Sequence, residues 1–167
     1  DEDLGGYHLV WPRDLVETAG GFLAAGAAKD ALAILSYLRT IQEADGHWPQ
    51  NAWLDGTAYW GGIQMDETAL PILLADALHR EDRLSQAALE SFAEMILKAT
   101  AFILQNGPVT GEDRWEEDAG YTPFTLAAEI AALLAAADLL ERCGRAEAAP
   151  FARETADCWN EQIERWL

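Results

Sequence analysis

Apolar residues return along this chain at intervals of three and four. The clearest stripe is Leu32, Leu35, Leu38 and Ile41. Recurrence at i, i+3, i+4 and i+7 gathers apolar side chains on one face of a helix. The pattern predicts six helices, at about 13–28, 29–43, 65–80, 86–106, 122–143 and 146–166. No segment alternates as a strand does, and no Asn-Gly pair joins two alternating runs. The expectation is an all-α chain. Asp45-Gly46, Asn106-Gly107-Pro108 and Cys143-Gly144 read as stops after the second, fourth and fifth helices. Thr122-Pro123 opens the fifth, with the proline suited to a first turn. Pro71 falls early in the third, where a missing N–H does least harm. The stretch "TLAAEIAALLAAADLLE" in the fifth helix is apolar nearly all round, which places that helix in an inner layer.

The polar interruptions have a pattern of their own. "WPRD" at Trp11, "WGGIQMDE" at Trp60 and "RWEE" at Trp115 each combine a tryptophan with carboxylates, and each leads into an odd-numbered helix. Their spacing is roughly 50 residues, two helices per step, as in stacked helical hairpins. In such a stack every odd-numbered helix starts at the same end. The three loops are then expected on one rim, lining a pocket.

Composition narrows the chemistry. A chain of 167 residues, half of them hydrophobic, suits one domain with a real core. The net charge of −18, from 11 basic and 29 acidic residues, argues against nucleic acid or an anionic membrane as partner. No apolar run is read as reaching membrane-spanning length. Cys143 and Cys158 are too few for a disulfide framework or a metal cluster and are expected buried or half-buried. His8, His47 and His79 are isolated, so no metal or other cofactor is expected. Phosphate-binding glycine loops, GxSxG and HExxH are absent. The chain starts at Asp1 and its helical pattern still runs at Leu167, which suggests a piece of something longer and leaves the compartment open.

Seven tryptophans outnumber both the four tyrosines and the five phenylalanines. Flat faces beside charged hydrogen-bonding groups are what sugar rings and hydroxyls require. "GYHLVWPRD" brings Tyr7 and Trp11 next to Arg13 and Asp14. Trp48, Trp53, Tyr59 and Trp60 crowd a glycine-rich loop, followed by Gln64, Asp66 and Glu67. "EDRWEE" sets Asp113, Glu116 and Glu117 around Trp115. Adjacent carboxylates repel and an indole lowers local polarity; both effects favour a neutral acid, the state general-acid chemistry needs. Each motif taken alone also reads as a helix N-terminus with acids in its first turn.

Together, "GYHLVWPRDL", "PQNAWLDGTAYWGGIQMDE" and "GEDRWEEDAGYTP" resemble glycoside hydrolase family 15, the glucoamylases and glucodextranases, most closely the bacterial and archaeal branch. The resemblance runs over essentially the whole chain. It implies an (α/α)6 barrel, of which three hairpins are half, with residues 1–167 as part of the catalytic domain. It implies an exo-acting, inverting α-glucoside hydrolase that releases glucose from α-glucan oligosaccharides or polysaccharides. Glu116 then matches the general acid and Asp113 a supporting residue. Tyr7, Trp11, Arg13, Asp14, Trp60, Gln64, Asp66, Trp115 and Glu117 match substrate-binding positions. The catalytic base of the family lies further downstream, in the other half of the barrel, and no residue here takes that role. Two other readings stay open: a non-catalytic carbohydrate-binding helical module, and a trehalase-like enzyme of the same family. α-1,4 and α-1,6 linkages are not separated.

Overall fold

The structure, a computed structural model, describes residues 8–167. The expectation for Tyr7 therefore lies outside the described residues. Six α-helices are present: α1 (Pro12–Ala24), α2 (Ala28–Thr40), α3 (Met65–Arg80), α4 (Gln86–Asn106), α5 (Pro123–Arg142) and α6 (Ala149–Trp166). They pair as three hairpins, α1 with α2, α3 with α4 and α5 with α6. The odd helices pack side by side in chain order, and the even helices lie against their outer faces. Leu35, Leu38, Ile72, Leu78, Leu89, Ile96, Ile103 and Leu133, all fully buried, fill the space between the layers.

Three helix ends differ from the sequence expectation by three residues or more: α6 begins at Ala149 and not at 146, after a 3-10 turn over Ala146–Ala148, and α1 and α2 both stop early. α1 stops at Ala24, short of residue 28, because Gly26 turns to a left-handed φ of 82°. Ala27 N–H then donates to the Phe22 carbonyl at 2.8 Å and Gly26 N–H to that of Leu23 at 3.0 Å, which satisfies the end of the helix. α2 stops at Thr40, short of 43, because Trp48 inserts beneath it. The fully buried indole donates from Nε1 to the Leu38 carbonyl at 2.8 Å, an acceptor that another helical residue would have used. Asp45-Gly46 marks a later loop turn and not the end of α2.

The reading of no strands is also corrected. β1 (Asn51–Ala52) and β2 (Ala58–Trp60) form an antiparallel ribbon inside the glycine-rich loop. Strands this short carry no visible alternation. Their turn is built on Asp55-Gly56, where Asp55 Oδ1 accepts the Thr57 N–H at 2.9 Å and Gly56 has φ of 91°.

Pro71 sits beyond the first turn, inside α3, where it cannot donate to the Glu67 carbonyl. Cys158 is exposed, on the outward face of α6 between buried Ala156 and Trp159, while Cys143 is half-buried; both are free. α5 is long and apolar enough to cross a membrane by length and composition, contrary to the sequence reading. Most of it is buried against α3, α4 and α6, as a core helix of a folded domain would be.

Candidate active site

Parallel packing of α1, α3 and α5 brings their N-terminal ends together, and with them the three tryptophan loops. Val10 and Ala52 exchange backbone hydrogen bonds at 2.8 and 2.9 Å, tying the first loop to the ribbon. Thr110 and Gly120 do the same at 3.1 and 3.0 Å, closing the neck of the third loop. Buried Thr110 also accepts the Met65 N–H at 3.1 Å through Oγ1, which fixes that neck to the start of α3.

Inside the third loop, Asp113 organises the turn. Its Oδ1 accepts the N–H groups of Trp115 at 3.0 Å and Glu117 at 3.1 Å. Its carbonyl accepts the Glu116 N–H at 2.9 Å, and its own N–H donates to the Asp118 carbonyl at 2.7 Å. The N–H of Glu117, helped by those of Trp115, Asp118 and Glu116, holds the Asp113 carboxyl below its usual range. Glu116 itself takes a left-handed φ of 62°. A residue with a side chain rarely adopts that conformation, and where it does the surrounding bonds impose it, often at functional sites. Here the result is a carboxylate projected between two clefts.

The first cleft, of about 550 Å³, is lined by Trp11, Arg13, Asp14, Trp115 and Glu116, and also by Arg114 and Glu17. Trp11 Nε1 donates to Glu116 Oε1 at 3.3 Å across the mouth. The second, of about 380 Å³, lies on the other side of Glu116 and is lined by Gln50, Trp60, Gly61, Gly62 and Glu112. Glu117 is exposed and lines neither.

Gln64 and Asp66 do not reach the clefts; they stand behind Arg13, fully buried. Arg13 donates from Nε to Asp66 Oδ2 at 2.6 Å and from Nη2 to Gln64 Oε1. Its Nη1 lies 3.5 Å from the Arg114 carbonyl and 3.9 Å from Glu67 Oε1. Burial works against the Arg13 charge, but the hydrogen bond and charge of Asp66, then the charges of Glu67 and Asp14, outweigh it and hold its pKa above the usual value. The guanidinium is thus a fixed positive fork facing the first cleft.

The expectation that Trp115 lowers polarity around the glutamates is not met. Trp115 is 70% exposed and pairs with the Arg114 guanidinium at 5.0 Å, while that guanidinium also covers Phe124 at 4.5 Å. The indole that touches Glu116 is Trp11, supplied from a distant part of the chain.

The strongly perturbed acids are Glu67 and Glu129, neither of which the family resemblance matched to a site position. Burial pushes Glu67 well above the usual carboxylate range; the charge of Arg13 opposes this and that of Asp66 adds to it. Burial, aided by the Asp66 charge, raises Glu129 to about 8. From the sequence, Glu67 reads either as a polar group following the tryptophan-rich loop or as a first-turn acid, and neither reading reveals its burial. Glu129 did leave a signal, as a single carboxylate on the buried side of an apolar helix. Gln50, Glu112 and Arg114 were also missed, since their place in the clefts depends on loop contacts. No group of histidine, cysteine and carboxylate side chains suited to a metal occurs among the described residues.

The family model of glycosyl hydrolases family 15 matches residues 43–166. The chain is 43% identical over 164 residues to a glucoamylase of Clostridium sp. (strain G0005), covering 98% of this chain and 22% of that protein. It also superimposes on a crystal structure of a bacterial glucoamylase complexed with acarbose, with a TM-score of 0.87 and 42% identity over 96% of this chain and 23% of that one. The chain thus spans less than a quarter of the length of these relatives. At this likeness its three hairpins are half of an (α/α)6 barrel.

Proposed function

The chain belongs to glycosyl hydrolases family 15, and we propose that it supplies the general-acid side of the pocket in an exo-acting, inverting α-glucoside hydrolase. The observation that carries this reading is the position of Glu116, in contact with Trp11 and forming a wall common to both clefts. A proton donor must sit at the oxygen joining two sugars, with room for one sugar on each side.

In this reading the terminal glucose enters the first cleft. Arg13, held from behind by Asp66 and Gln64, presents its fork to the sugar hydroxyls, and Asp14 accepts from them. Trp11 and Trp115 supply apolar faces. Glu116 gives its proton to the glycosidic oxygen as the bond to the anomeric carbon breaks, and Asp113 keeps its loop in shape. An inverting reaction also needs a carboxylate base to take a proton from the attacking water, roughly 6.5–9.5 Å from the acid. We assign that base to residues outside this chain, in the other half of the barrel. The likeness to a glucoamylase crystallised with acarbose supports an oligosaccharide as the ligand.

The test is glucose release from maltooligosaccharides and from dextran by a full-length polypeptide carrying this segment, with and without Glu116→Gln. Release of the β anomer, reduced by ~10²- to 10⁴-fold in the variant, is the expected result. The ratio of the two substrates then sets the linkage. The 167-residue chain by itself is expected to hydrolyse neither. Unchanged turnover in Glu116→Gln would overturn the assignment and leave the loop as scaffold for binding.

A further inference from the structure

Arg114 stands beside Glu116, yet the reaction just described gives its side chain no part. Its guanidinium lies over two rings, 5.0 Å from the centroid of Trp115 and 4.5 Å from that of Phe124. It forms no ion pair among the described residues, although Asp113, Glu116 and Glu117 are close to it in the chain. A guanidinium is planar and weakly hydrated, so it stacks on an aromatic face where an ammonium keeps its water. Phe124 is half-buried in the first turn of α5. Arg114 therefore belongs to the loop but is fastened to the helix.

The hydrogen bonds of the loop show why a fastening matters. Thr110 and Gly120 close its neck, and Asp113 bonds to residues 115–118. These bonds shape the loop from within, and a loop closed on itself can still rock as a unit on its neck. Among the described residues, 113–118 reach the rest of the molecule by the Trp11–Glu116 hydrogen bond at 3.3 Å, by the Arg13 Nη1 approach to the Arg114 carbonyl at 3.5 Å, and by the stack of Arg114 on Phe124. The last two both belong to Arg114. Both hydrogen bonds are longer than the usual range of about 2.7–3.2 Å, which leaves the stack as the firmest tie.

We propose that Arg114 is a positioning residue for the general acid: its stack on Phe124 fixes the loop to α5 and so sets where the Glu116 carboxyl meets the glycosidic oxygen. This rests on the general-acid role of Glu116. Arg114 acts through the backbone of the next two residues, where Glu116 holds its left-handed φ of 62°. Reaction geometry is sensitive to such placement, since a displacement of about an ångström can cost on the order of a hundredfold in rate.

The test compares two substrates in a full-length polypeptide carrying this segment. The sugar that leaves maltose needs a proton, whereas fluoride leaves α-glucosyl fluoride as an anion without one. A displaced acid slows the first and spares the second, so the ratio of the two kcat values reads the placement of the acid. Both values come from one preparation, and the folded fraction cancels. Arg114→Lys keeps the charge and loses the plane; Phe124→Leu keeps an apolar side chain and loses the ring. Each is expected to lower the maltose-to-fluoride ratio by about tenfold, within the worth of a partly desolvated cation–π contact. The double variant should fall no further than either, because both changes remove one stack. Phe124→Tyr keeps a ring and is expected to keep the unsubstituted ratio. An unchanged ratio in Arg114→Lys and Phe124→Leu overturns the proposal, even where both rates fall together. A fall confined to Arg114→Lys, or losses that multiply in the double variant, overturns it as well. Failure of the underlying reading looks different: Glu116→Gln would then leave the ratio unchanged too.

Discussion

The indole Nε1 of Trp11 stands 3.3 Å from Glu116 Oε1, although 105 residues separate them in the chain. Trp11 is the residue just before α1, and Glu116 lies in the loop that precedes α5. Their contact is possible because α1 and α5 flank α3 with the same polarity, so that their N-termini share one rim. Trp11→Phe keeps the ring and removes the only indole N–H that Glu116 receives among the described residues. We expect kcat for maltooligosaccharides to fall by about tenfold, the worth of one hydrogen bond to a charged group. Steady-state kinetics at saturating substrate would check this, and an unchanged kcat would show the contact to be incidental.

Arg13 tolerates no simple exchange. A lysine ammonium cannot reproduce the planar fork shared by Asp66 and Gln64. Arg13→Lys leaves Asp66 buried with a poorer partner. Breaking a buried pair typically costs about 3–5 kcal/mol; a partial replacement is expected in the lower part of that range. Urea unfolding read by tryptophan fluorescence measures it. Loss of glucose release should accompany the loss of stability.

Asp113 is predicted to act through loop geometry. Asp113→Asn retains an oxygen for the N–H groups of Trp115 and Glu117, whereas Asp113→Ala retains none. Activity should therefore fall several-fold more in the alanine variant than in the asparagine one. Equal losses would point to the charge of Asp113, not its acceptor geometry.

Glu129 sets a pH dependence of stability. Folded, it keeps its proton up to about pH 8; unfolded, it loses it near the ordinary glutamate value of about 4.3. Between these values the folded state binds more protons than the unfolded one, so stability falls as pH rises through the window, by roughly 1.4 kcal/mol per pH unit. Glu67, raised in the same direction, adds to the slope. Glu129→Gln removes its share. Urea midpoints at pH 5 and pH 8.5 should differ less in the variant than in the unsubstituted protein. Parallel shifts in both proteins would show that Glu129 does not keep its proton in the fold.

Sequence alone determined the features that depend on local periodicity and on residue type. Six helices, their pairing into hairpins and the burial of α5 all follow from where apolar side chains recur, because a helix must turn such a stripe toward a core. The start of α3 and both ends of α4 fell where the pattern placed them. The shared rim followed from the repeat spacing, and Trp11, Arg13, Asp14, Trp60, Trp115 and Glu116 do line its clefts. What the tertiary structure decided are matters of contact between distant segments. α2 ends early because Trp48 claims the Leu38 carbonyl. Gln64 and Asp66 became anchors of Arg13 instead of cleft walls because α3 packs behind α1. Trp115 turned to solvent while Trp11 took the place beside Glu116. Glu67 and Glu129 became perturbed acids only once helices closed around them, since desolvation belongs to the assembled interior and not to any stretch of sequence.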